Sequence, residues 1–260
     1  MNSRGFTLCV LAAASSAALP LTAFAACDAR SGPNTAALVE LYTSEGCSSC
    51  PPADQQFSRL RQALDPAAEV VPIALHVGYW DYIGWKDPYA QDRFGERQSW
   101  MVRANQRNAV YTPQFFVGGT ELRAWQGGLR DEVRQLNARP ATAAIRVRAS
   151  IAPNGALALK AEATTRAWAE PAGLYLALAE SGLVSKVTRG ENSGVTLAHD
   201  HVVREWIGPV RLTEGAARVQ RDIALPAAWN RARLEVIAFV QNERTGGVLQ
   251  ALSAQQCAGS

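Results

Sequence analysis

Histidine is scarce in this chain, with three residues among 260. That scarcity narrows the metal chemistry open to it, because a structural zinc needs four ligands and imidazole is a principal one. Charge of one sign is also lacking. A formal net charge of +3 leaves no electrostatic footprint for nucleic acid or a membrane surface. There is no internal repeat, and no low-complexity tract beyond the N-terminal segment. What remains is a chain with 48% hydrophobic residues, able to bury a full core and long enough for two domains.

The N-terminus has the form of an export signal. Arg4 supplies one positive charge, an apolar run covers 6–18, and Ala23-Phe24-Ala25 places small residues at the −3 and −1 positions. Pro20 and the small-residue exit argue against a membrane anchor. The reading is a signal peptide over 1–25, cleaved after Ala25, which leaves a mature chain of net charge +2 with no membrane span, in the periplasm or secreted.

Five cysteines are present, and Cys9 falls in the signal. Of the four others, Cys47 and Cys50 form a C-S-S-C motif, while Cys27 and Cys257 stand at opposite ends of the mature chain. In an oxidising compartment disulfides persist, so Cys27 and Cys257 are expected to staple the termini. Closing so long a loop restricts the unfolded chain by roughly 4–5 kcal/mol in the chain-entropy account. The rival is a lipidated Cys27, but Phe24-Ala25-Ala26 is a poor lipidation signal and Cys257 would then be left odd.

Strand and helix signals alternate strictly over 26–140. The apolar run 36–42 reads as a buried strand. A helix over 53–64 carries Phe57, Leu60 and Leu64 and is entered through Pro51-Pro52. A parallel strand follows over 70–75, then an aromatic loop with Tyr79, Trp80, Tyr82 and Trp85. Asp87-Pro88 has N-cap and first-turn chemistry for a helix running to about Asn105. The strand 114–117 turns at Gly118-Gly119 into a second strand over 121–125, ended by Gly127-Gly128, and Leu129, Val133 and Leu136 place a last helix. The order β-α-β-α-β-β-α is that of an α/β thioredoxin-like domain. From about 141, past Pro140, period-two alternation such as Ile145, Val147, Ala149 and Ile151 between Arg146, Arg148 and Ser150 indicates an all-β sandwich domain over 141–260.

Within the first domain, Cys47 is expected at the start of a helix, where unpaired N–H groups and the dipole favour a thiolate. It would attack a partner as nucleophile, and Cys50, a turn further on, would resolve the mixed disulfide. A CxxC also serves zinc sites and inert bridges, so context decides. Thr112-Pro113 stands before a strand, the place where a cis proline faces the CxxC in thioredoxin-like sites and could pair with a bound polypeptide; the bland reading is a trans proline that starts a strand. Glu40 is the one charge in its apolar strand and is expected beneath Cys50 as a proton acceptor, or else solvated off the sheet.

The run from Val39 through Cys47-Ser48-Ser49-Cys50-Pro51-Pro52-Ala53-Asp54 resembles the domain-of-unknown-function family twelve-twenty-three, exported thioredoxin-like bacterial proteins. So do His76-Val77-Gly78-Tyr79-Trp80-Asp81, Gly84-Trp85-Lys86-Asp87-Pro88 and Tyr111-Thr112-Pro113-Gln114. The second domain adds Gly190-Glu191-Asn192-Ser193-Gly194 and His199-Asp200-His201-Val202-Val203-Arg204. Gly78 departs from the pattern, where an Asp is expected. The resemblance implies the fold and a suspected redox site, with no substrate.

The leading functional expectation is therefore a thiol–disulfide oxidoreductase, without cofactor, acting through Cys47 and Cys50 on protein or small-molecule thiols and disulfides. The alternative is a Cu(I) carrier using Cys47, Cys50 and His76, since thiolates favour that ion. A third is a binding module whose CxxC is a structural bridge. Tyr79, Trp80 and Trp85 are candidates for a partner-binding surface or for internal packing. His199 and His201, one residue apart, would share a face if they lay in one strand.

Overall fold

The computed structural model describes Met1 and residues 27–166 and 170–255. The expected signal segment and Cys257 lie outside the described residues. Cys27 opens the first strand, β1 (Cys27–Arg30).

Strand β2 (Ala37–Thr43) is buried along its whole length and pairs in parallel with β3 (Val70–His76) and antiparallel with β4 (Gln114–Val117). Between β2 and β3 run α1 (Pro51–Ser58) and α2 (Leu60–Ala63), two pieces broken at Arg59 where one helix was expected. A 3₁₀ turn occupies Gly78–Ile83, and α3 (Asp92–Ala104) follows. This helix starts later than Asp87-Pro88 suggested, because the Asp87 carboxylate is buried in an ion pair instead of capping it. The hairpin partner β5 is only Thr120–Glu121, and α4 (Trp125–Asn137) absorbs both Gly127 and Gly128, which were expected to end a strand.

The remaining strands are β6 (Ala143–Ile151), β7 (Leu157–Thr165), β8 (Ala172–Glu180), β9 (Leu183–Lys186), β10 (Thr196–His199), β11 (Val202–Arg211), β12 (Ala216–Ile223), β13 (Leu234–Asn242) and β14 (Val248–Gln255). The chain as described is mostly β-sheet. One sheet of eight strands, ordered β14-β13-β8-β11-β3-β2-β4-β5, runs through both halves of the sequence, joined where β11 meets β3 at Val202 and Ala74. The join explains Pro72. Ala74 N–H donates to His201 on the β11 side, and an N–H two residues earlier would point the same way, where β11 makes no pair and a proline is tolerated.

Strand alternation sorts the core into three parts. On one face of the eight-stranded sheet, Leu38, Tyr42, Tyr175 and Phe239 pack beneath Phe94 and Met101 of α3. On the other face, Val39 and Leu41 meet Ala53 and Phe57 of α1, while Leu174, Leu176 and Leu178 meet a four-stranded sheet, β1-β6-β7-β12. In β6 Ile145, Val147, Ala149 and Ile151 are buried and Arg146 and Arg148 face outward, as the period-two pattern requires. The β9–β10 hairpin belongs to neither large sheet. It lies against α1. Among the described residues no helix is long and apolar enough to cross a membrane.

Candidate functional site

The CxxC follows directly from the end of β2. A turn brings Cys47 N–H to Ser44 O (3.1 Å) and Cys50 N–H to Cys47 O (3.2 Å), and Ala53 and Asp54 N–H then both donate to Cys50 O. Pro51 and Pro52 fill the first two helical positions, where an N–H would have no intrahelical acceptor. Cys50 is therefore the N-cap of α1, and Cys47 sits in the preceding turn instead of at the helix start. Their sulfurs are bonded, with Cα atoms 5.4 Å apart. Both cysteines are 0% exposed, whereas Cys47 was expected to be reachable.

The distant β9–β10 hairpin docks on the backbone of this segment. In its 190–194 turn, Asn192 Nδ2 donates to Glu45 O (2.8 Å) and Cys47 O (3.0 Å). Glu191 accepts from Ser48 N–H at 3.0 Å. Gly190, with a φ of +74°, lies where a Cβ would come within 3.2 Å of Ile83, so the turn is seated closely on the 3₁₀ segment. Only Ser48 and Ser49 of the tetrapeptide face solvent. The Ser49 hydroxyl stands 3.4 Å from Cys47 Sγ and donates to Thr112 O at 3.5 Å. The Thr112–Pro113 peptide is cis.

Two of the aromatic candidates hold this loop in place. Trp80 Nε1 donates to Thr112 Oγ1 (2.8 Å), and Trp85 Nε1 donates to Glu45 Oε2 (2.7 Å). A Cβ on Gly46 would lie 2.9 Å from Trp80 Cβ, so the loop passes the indole without a side chain. Tyr79 stacks at a tilt beside Trp80 and is partly exposed, and Tyr82 is 82% exposed.

Behind the disulfide lies a buried cluster of acids and imidazoles. His76 Nδ1 is 2.7 Å from Asp87 Oδ2, and that oxygen also accepts from Glu45 N–H. His199 Nε2 is 3.1 Å from Glu45 Oε1, and its Nδ1 is 3.9 Å from Asp54 Oδ2. The two imidazoles meet edge to face at 4.9 Å. Burial opposes the His76 imidazolium, yet the Asp87 carboxylate outweighs it and holds the pKa above its ordinary value. Burial likewise opposes the Asp87 anion, and His76 still keeps its pKa low. Burial raises Asp54. Among the described residues His76 Nε2 has no hydrogen-bond partner. The cluster is thus two oriented carboxylate–imidazole pairs, able to hold protons within a turn of Cys50. A side chain at Gly78 would approach Asp81 and Asp92, so an acid there would add a third carboxylate nearby.

Glu40, expected beneath Cys50 or solvated, is neither. It is fully buried on the opposite face of the sheet, because in a strand of period two its neighbours Val39 and Leu41 face α1. Arg97 of α3 binds it through Nε (2.8 Å) and Nη2 (2.9 Å), and the Tyr42 hydroxyl donates to it at 3.0 Å. His199 and His201 do not share a face either. His199 ends β10, whereas His201 has a φ of +58° before β11 and turns to Glu235 at 3.2 Å. As for a Cys47, Cys50 and His76 metal set, the sulfurs are bonded to each other and His76 pairs with Asp87. Among the described residues no group of three or more His, Cys, Asp or Glu side chains is arranged to hold a metal ion.

Sequence reasoning gave no role to Glu45, Asp54, Asp87, Glu191 or Asn192 in the surroundings of the cysteines. The first two flank the CxxC, and the last two belong to a quoted motif, so a signal was present. Nothing in a linear reading placed that motif on the disulfide.

A CxxC bridge at a strand–helix junction of a mostly β chain, its backbone held by a hairpin from the far half, defines the class of site. Residues 38–241 match the family described as Protein of unknown function (DUF1223), and the chain belongs to that family. A search of curated proteins gave no match. Among solved structures, protein AGR_C_4864 from Agrobacterium tumefaciens is similar with a TM-score of 0.61 at 24% identity, over 84% of this chain and 93% of that one. HBP35 of Porphyromonas gingivalis is similar with a TM-score of 0.66 at 15% identity, over 88% of this chain and 77% of that one. At these identities the likeness is one of fold.

Proposed function

We propose that the protein is an exported thiol–disulfide oxidoreductase, with a thioredoxin-like arrangement over β2 to α4 and the Cys47–Cys50 pair as its redox centre. The observation that carries the reading is the disulfide itself, set between a strand end and a helix N-terminus with the Thr112 carbonyl across from Ser49. In the oxidising direction a substrate thiolate attacks Cys47 Sγ, the S–S bond breaks, and Cys50 leaves as a thiolate that takes up a proton. A second substrate thiol then attacks its own sulfur in the mixed disulfide and releases Cys47. The substrate dithiol becomes a disulfide, and two electrons and two protons pass to the pair. Because Cys47 is buried, this chemistry requires its surroundings to open, and we assign that opening to the 190–194 turn, which is bonded to the Cys47 carbonyl.

Burial of both sulfurs favours a second reading, a binding protein whose CxxC is a structural bridge. The two readings part on reduction potential and exchange. A redox centre exchanges with a dithiol peptide, and Cys47→Ser abolishes that exchange. A potential below about −300 mV, as structural disulfides have, together with no exchange by the wild-type chain, decides for the bridge.

A further inference from the structure

We propose that a cleft on the sheet face opposite the disulfide, floored by Arg97 and walled by Trp100, Tyr175 and Trp206, binds a flat aromatic carboxylate. The cleft has a volume of about 500 Å³, within the range of small-molecule sites. Its floor is a guanidinium only 7% exposed. Nε and Nη2 are used by Glu40 and Gln241, and the Tyr175 side chain also interacts with the group. An oxygen arriving in the cleft at the exposed edge of this guanidinium gains a charge-assisted bond. Rings surround the same group, with its carbon 4.9 Å from the Trp206 centroid, 5.2 Å from Tyr175 and 5.6 Å from Trp100. An aromatic ligand body therefore finds apolar walls where its carboxylate finds a donor.

Arg93 stands at the rim, exposed, donating to Trp206 O at 3.1 Å and making no ion pair among the described residues. Of the two acids that line the cleft, Glu243 is paired with Arg211 at 3.5 Å and Glu96 is exposed. The spacing of Arg93, Glu96, Arg97 and Trp100 puts one stripe of α3 along the cleft. This site is independent of the redox reading, since it uses none of the groups around the cysteines.

The test is calorimetric titration of the full chain with 2-naphthoate and with 2-naphthylmethanol, its uncharged counterpart. Saturable one-to-one binding is expected, at least about tenfold tighter for the acid. Trp100→Leu and Arg93→Ala should each weaken the acid severalfold, and Arg93, being exposed, can be replaced without unfolding the chain. No saturable binding by about 1 mM, equal binding of acid and alcohol, or unchanged affinity in both variants overturns the proposal.

Discussion

Removing the Asn192 side chain should make the buried disulfide easier to reach. Asn192 Nδ2 bridges Glu45 O and Cys47 O, and Cys47 O retains a second donor in Cys50 N–H. A hydrogen bond contributes roughly 1 kcal/mol net, and the loss is smaller where another donor remains. Asn192→Ala should therefore weaken the closed arrangement by roughly 1–2 kcal/mol, because in the lifted state both carbonyls regain water. When opening is fast relative to attack, the reduction rate follows the open population, and that energy corresponds to a rise of about 5- to 30-fold. The assay is pseudo-first-order reduction of the oxidised protein by dithiothreitol at pH 8, followed by quenched alkylation and mass analysis, with thermal melts to show an intact fold. Glu191→Ala, which removes one exposed contact to Ser48 N–H, should act in the same direction and less. An unchanged rate in Asn192→Ala would mean that the hairpin does not gate the sulfurs.

Other outcomes follow from the buried charges. Arg97→Gln alone should destabilise the fold by roughly 3–5 kcal/mol by stranding Glu40, while the Glu40→Gln/Arg97→Gln pair should cost much less; the double variant should still reduce at the wild-type rate, and a slowed rate would restore Glu40 to the redox site. Burial opposes the Glu235 carboxylate, but hydrogen bonds from His201 and Arg61 hold its pKa at about 2 against an ordinary 4.5. Its stabilisation, about 3 kcal/mol, is present above pH 4.5 and is lost as the pH falls through about 2, so urea melts of Glu235→Gln and wild type should converge over that window. A gap independent of pH refutes the assignment. For the His76–Asp87 pair, the lowered Asp87 contributes above about pH 4, and the raised His76 contributes below about pH 6.5 and fades as the pH rises through its folded value. Asp87→Asn should thus lose most stability between those limits and less on either side, as read from melts across pH.

Much of this protein was legible in one dimension. The alternation of Ile145, Val147, Ala149 and Ile151 with exposed or half-exposed neighbours gave β6, and the apolar runs gave β2 and β3. The CxxC beside a strand end announced the one feature of the site that is covalent. Such signals are local, set by chain periodicity and side-chain type over a few residues, so a linear reading captures them.

What lies on which face of a long-range contact could not be read that way. Glu40 pairs with Arg97 across 57 residues, and Asn192 bonds the Cys47 carbonyl across 145. Asp87 looked like a cap until folding brought His76 to it, and Gly127 and Gly128 joined a helix because Leu129 and Val133 bury against the sheet. Sequence by itself determined β2, β3, β6 and the presence of a cysteine pair beside a strand end, because short-range propensity and composition suffice for those. Only the tertiary structure decided that both sulfurs are covered and which charges meet. Burial and ion pairing depend on which distant surfaces the sheet brings together, and the chain does not encode that in any one segment.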